Sequence, residues 1–191
     1  SGAYPHLLIG IGKEGRIYVV NNNNMGKFTS DPTLNCTSSE HLRTDLDQVV
    51  QEFPPTTVGG VYSTPALWNG PHSQFVYITE SGGSTRAFQL TNGHLSATPT
   101  SQTPESFGFP GGDAVISSNG TTGRTGIVWI IDPKAALRAY DASNVSTELY
   151  NSTQNVGRDG LDTYVKFSTP VVANGEVFVG TKDTLTIYGP L

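Results

Sequence analysis

Chemistry in this chain of 191 residues would have to come from a handful of side chains. The four histidines, His6, His41, His72 and His94, are isolated, with no His-x-His, His-x-x-x-His or His-Glu pairing, so a metal centre would need ligands converging from separate loops. No metal ligand set is assigned. Cys36 is the single cysteine, which excludes an internal disulfide and a multi-thiolate site, and its nearest basic neighbour is Arg43. No Gly-x-Ser-x-Gly elbow is present. "GIGKEG", residues 10–15, lacks the spacing and following helix of a phosphate loop and reads as a β-turn. The most charge-dense loop is "RDGLD", where Arg158, Asp159 and Asp162 form either a solvated turn or a contact for a polar ligand or calcium. Phe107, Phe109 and Tyr164 flank the same kind of loop. They would either line a funnel for a sugar or planar ligand or pack one sheet on the next. Trp68 and Trp129 lie within strand-like runs and read as core.

The elements that position these residues repeat along the chain. Residues 61–94, "VYSTPALWNGPHSQFVYITESGGSTRAFQLTNGH", read as three strands separated by turns, with turn signals at Asn69-Gly70, Gly82-Gly83 and Asn92-Gly93. The order returns as "DAVISSNG", "TGIVWIID" and "ALRAYDA", and again as "STPVVANG", "EVFVGT" and "DTLTIY". Arg86-Ala87-Phe88, Arg138-Ala139-Tyr140 and Thr186-Ile187-Tyr188 mark the third strand of each unit at spacings of 52 and 48 residues, the size of a four-stranded propeller blade. Arg16-Ile17-Tyr18 fits the same slot. Residues 1–53 therefore read as a partial blade with an insertion at 21–47, 54–105 and 106–155 as blades, and 156–191 as a partial closing blade. Fourth strands are expected at 48–53, 95–100 and 147–152, and one helical turn within "SSEHLRTDLDQVV". The run Asn21 to Asn24 follows a third strand, where Asn tolerates left-handed backbone. Together these give an all-β chain, a β-propeller segment of four-stranded antiparallel blades amounting to about half of a seven- or eight-bladed ring.

Composition agrees with many short strands: charged residues make up only 14%, against 36% hydrophobic residues, 22 Gly, and 40 Ser and Thr together. The net charge of −5 and scattered Lys and Arg exclude the footprint of a nucleic-acid binder. No run is apolar for long enough to cross a bilayer, and residues 1–30 lack a signal-peptide pattern, so a soluble chain with any targeting segment removed is expected. Asn-x-Ser/Thr sequons at Asn35, Asn119, Asn144 and Asn151 are candidate glycosylation sites, consistent with an extracellular or periplasmic location.

The stretches "GKEGRIYVVNNNNMGKF", "SATPTSQTPESFGFPGG", "LRAYDASNVSTELYNS" and "FSTPVVANGEVFVGTKDTLTIYGPL" resemble the quinoprotein-like, or PQQ-like repeat, β-propeller family, and the likeness is to the C-terminal part of secreted bacterial and fungal members. The resemblance implies a propeller and, in dehydrogenase members, PQQ and calcium held by clustered acids, an Asn, an Arg and adjacent cysteines. The chain has no Cys-Cys pair, no calcium loop and no Trp-docking signature, so no catalytic residue transfers. Half a ring would expose the apolar flanks and strand edges of its end blades. A partner is therefore expected: the N-terminal half of the same propeller, or a second copy. The function expected first is a non-catalytic binding or scaffold module that presents axial loops to a small molecule, glycan or protein. The alternative is a fragment of a PQQ-dependent type of oxidoreductase whose catalytic residues lie in the other half.

Overall fold

The structure is a computed structural model that describes residues 4–25 and 49–189. Short runs of alternating apolar residues, bounded by Gly, Asn and Pro, become strands of four antiparallel sheets in sequence order. The first sheet joins β1 (Leu7–Ile11), β2 (Ile17–Asn21) and β3 (Val49–Glu52). The second holds β4 (Ala66–Asn69), β5 (Gln74–Thr79), β6 (Thr85–Thr91), β7 (His94–Leu95) and β8 (Ser101–Gln102). The third is built from β9 (Ala114–Ser117), β10 (Ile127–Asp132), β11 (Ala136–Asp141) and β12 (Glu148–Asn151). One helical turn, α1 (Val156–Asp159), then leads to the fourth sheet, β13 (Val171–Ala173), β14 (Glu176–Gly180) and β15 (Leu185–Tyr188).

Turn chemistry sets the register. Asn92-Gly93 between β6 and β7 and Asn174-Gly175 between β13 and β14 have positive φ at both residues, the backbone that a tight hairpin with right-handed strand twist requires. Between β1 and β2 the turn closes with the Gly15 N–H donating to the Gly12 carbonyl (3.0 Å). Gly15 sits at φ +72°, and a Cβ there would lie 1.9 Å from the Val58 carbonyl oxygen, so only glycine fits.

Each sheet turns one face back to its predecessor and the other on to its successor. Ile17 and Val19 of β2 look forward and meet Phe88 of β6 in a first core cluster. Ala87, the next residue of the same strand, looks the other way and joins Tyr140 of β11 in a second. Leu137 of β11 looks on into a third, with Val177 and Val179 of β14. The Tyr77 hydroxyl crosses from the second sheet to the Ala142 carbonyl of the third (2.5 Å), and burial pushes it well above the ordinary tyrosine range. The first strands touch in a row, β4 against β9 and β9 against β13. Sheets stacked in succession with their inner strands side by side make a partial propeller.

Ion pairs recur at the third-strand position that marks the repeat. Arg16 pairs with Glu52 of the outer strand, Arg86 with Glu80, and Arg138 with Asp132 (2.9 Å) and with Glu148 of β12 (2.6 Å). The Tyr140 hydroxyl donates to Glu105 (2.7 Å), which ties the second return segment to the third sheet.

Two expectations about elements change. The fourth strand expected at 95–100 is instead split: β7 pairs only Leu90 and Thr91, and β8 pairs Arg86 and Ala87. Between them Ser96 accepts the Gln89 N–H on its hydroxyl (3.2 Å) and donates to Thr98 (2.8 Å), and Pro99 has no N–H for the ladder. α1 was not foreseen within the fourth return segment. The helical turn expected in "SSEHLRTDLDQVV" falls almost wholly outside the described residues; Val49 and Val50, its last two, lie in β3.

Candidate functional site

Return segments carry the chain from each outer strand to the next inner strand, and their last residues gather at one end of the array. Tyr62 and Phe109 meet edge to face with ring centroids 5.0 Å apart. Lys13, from the β1–β2 turn, places its ammonium 5.3 Å from the Tyr62 centroid, and Lys166 stands 4.9 Å from that of Phe109. Tyr164 and Phe167 line a shallow depression beside Tyr62 and Asp113. Tyr62, Phe109 and Phe167 are all exposed. Burial raises the Tyr164 hydroxyl above its ordinary value.

Asp113 organises the backbone beneath this cluster. One carboxylate oxygen accepts the Thr64 N–H ahead of β4 (3.1 Å), and the other accepts the Thr169 hydroxyl ahead of β13 (3.1 Å), so a single side chain ties three consecutive inner strands. Gly111, at φ +95°, bends the chain just before it. Exposed aromatic faces flanked by two ammonium groups suit a ring that stacks while offering electron-rich oxygens.

Of the residues singled out in the sequence, Phe109 and Tyr164 lie here, and Arg158, Asp159 and Phe107 do not. α1 holds Arg158 and Asp159 beside the outer strand, where they line a cleft of about 500 Å³ with Trp129, Tyr150, Ile187 and Tyr188. Two of the three Arg158 guanidinium nitrogens, Nε and one Nη, donate to the Asp159 carboxylate, at 2.5 and 2.7 Å. The Arg158 hydrogen bonds hold that carboxyl below its usual value. Burial first, and hydrogen bonding to Asp159 second, push Tyr150 upward. The Tyr188 hydroxyl donates to the Asp159 carbonyl (2.8 Å). Asp162 is exposed and accepts the Thr163 N–H (2.6 Å), a local turn.

Of the aromatic residues named from sequence, Phe109 and Tyr164 do reach the axial cluster, whereas Phe107 is wholly buried in the second core cluster and presents no surface to a ligand. Trp68 is buried in the same cluster, and Trp129 packs half-buried beside the fourth sheet. Sequence reasoning missed Tyr62, Phe167, Lys13, Lys166 and Asp113. A signal was present: Tyr62-Ser63-Thr64-Pro65 and Phe167-Ser168-Thr169-Pro170 repeat an aromatic residue at the same offset from the inner strand.

Asn119 and Asn144 are exposed in turns, Asn151 is half-buried with its amide nitrogen donating to Glu148 (2.8 Å), and Asn35 lies outside the described residues with Cys36 and His41. Among the described residues no three His, Cys, Asp or Glu side chains are grouped to hold a metal ion. No helix among them is long and apolar enough to cross a membrane. No family model and no curated protein matches the chain.

Proposed function

We propose that the chain is a non-catalytic binding or scaffold segment of a β-propeller, completed by further blades from another polypeptide segment. The observation that carries this reading is the state of the two end sheets. On the first, Leu8 and Tyr18 face away from the second sheet and are 48% and 37% exposed. On the fourth, Val171 and Ile187 are paired in register through Phe178 and are 57% and 52% exposed. In the inner sheets the equivalent faces form the cores. Apolar rows at both ends of a stack call for further sheets. The ligand-facing end is the Tyr62, Phe109 and Phe167 cluster, and its chemistry suits a glycan or other small ring. Exposure of the sequons at Asn119 and Asn144 fits the extracellular or periplasmic setting that belongs to the same proposal.

Intact mass of the native material, under denaturing and non-denaturing conditions with an absorbance scan, tests the reading. A companion of comparable size, or a covalently continuous second half, is expected. A lone, stable monomer of 20.3 kDa would defeat it. A quinone chromophore in the companion would turn the assignment toward an oxidoreductase.

A further inference from the structure

The geometry points to a strand-receiving site along the free edge of β1, whose occupant is an extended uncharged peptide of the pattern Thr-Pro, three apolar residues, Asn-Gly. The inference rests on the incomplete-propeller reading and gives that reading a specific place of contact. Its first support is hydrogen bonding. Asn22 donates to the His6 carbonyl just beyond the strand ends (2.9 Å), which sets the alternation, so within β1 Leu8 and Gly10 are the positions bonded to β2. The N–H and C=O groups of Leu7, Ile9 and Ile11 therefore point to the opposite edge, where no strand of the described residues pairs.

A second support is the cleft itself, about 500 Å³, with Leu7, Leu8 and Ile9 on one wall and Pro65, Ala66 and Leu67 on the other. The third is the row of inner strands. β13 touches β9 and β9 touches β4, but the row stops at β4 among the described residues. Ala114 and Ile116 of β9 look back toward the second sheet and are half-buried, whereas Leu67 of β4, on the face turned back toward the first sheet, is 52% exposed. An inner strand seated on β1 would satisfy the edge, fill the cleft and cover Leu67 together.

The pattern of the occupant comes from the chain's own inner strands. "TPALWNG" at 64–70 and "TPVVANG" at 169–175 share one template, and each runs antiparallel to the strand that follows it. A strand of that kind, laid antiparallel on Leu7–Ile11, gives β1 the neighbour that β5, β10 and β14 already have.

The test uses the full chain and a synthetic peptide, Ser-Thr-Pro-Val-Val-Ala-Asn-Gly, with a scrambled peptide and one N-methylated on alternate amides. Residue-resolved amide exchange should slow about tenfold or more at Leu7, Ile9 and Ile11 with the peptide and at none of them with either control. Leu67→Lys, at an exposed position, should weaken the effect about tenfold without loss of folding. Absence of protection in a chain that native mass shows bound to a companion half overturns the strand site and leaves the propeller reading standing. Absence of protection in a lone stable monomer defeats both. Protection of the same amides by dimer formation without peptide would assign the edge to a second copy and overturn the proposed occupant.

Discussion

Two phenylalanines two positions apart show how burial decides a residue's role. Phe107 is enclosed in the core between the second and third sheets, and Phe109 lies half in solvent against Tyr62. Phe107→Ala is expected to cost about 3–5 kcal/mol in urea unfolding, and Phe109→Ala about 0.5 kcal/mol or less. A ligand that uses the axial cluster should instead lose affinity with the second variant alone. Asp159 makes a pH prediction. Its carboxyl is held below the model-peptide value of 3.8 by Arg158, so the pair's contribution is present above that value and is lost as pH falls through the lower folded one. Carboxyl-carbon NMR should find its midpoint below 3.8, and Asp159→Asn should remove that part of the acid limb of the stability curve.

At the scale of elements, glycine in a turn and glycine in a strand separate cleanly. Gly15→Ala forces a side chain into left-handed backbone against the Val58 carbonyl and should lose about 2 kcal/mol or more, whereas a Cβ at Gly10 meets nothing within 4 Å. Thermal melts of the two variants side by side would check this. Strands were legible because alternation, Asn-Gly hairpins and the Arg-x-aromatic marker all point to one register. The outer strand after Leu95 was not, because the Ser96 hydroxyl takes over a backbone position and alternation does not register that substitution. The candidate site was legible only in part. Phe109 and Tyr164 lay in return segments and were found, but Tyr62 and Phe167 were not, because the cluster converges from segments about fifty residues apart, a meeting that depends on how the sheets stack. Arg158 and Asp159 drew notice through charge density, and α1 keeps that charge at the outer side.

For the whole molecule, the end faces set solution behaviour. Leu8→Lys combined with Ile187→Lys should reduce concentration-dependent self-association in light scattering while changing unfolding free energy by about 0.5 kcal/mol or less, since both residues are exposed. Unchanged scattering would show that those faces are not where copies meet.

Every strand pairing described here joins strands of the same sheet, and each sheet is drawn from one continuous stretch: 7–52, 66–102, 114–151 and 171–188. What binds one sheet to the next is apolar packing and isolated side-chain bonds, such as that of Tyr77 to Ala142. Under tension applied at its ends, the chain should therefore yield one sheet at a time. A pulling trace would show steps matching the length of a single stretch, with the outermost sheets, each covered on one face only, giving way first.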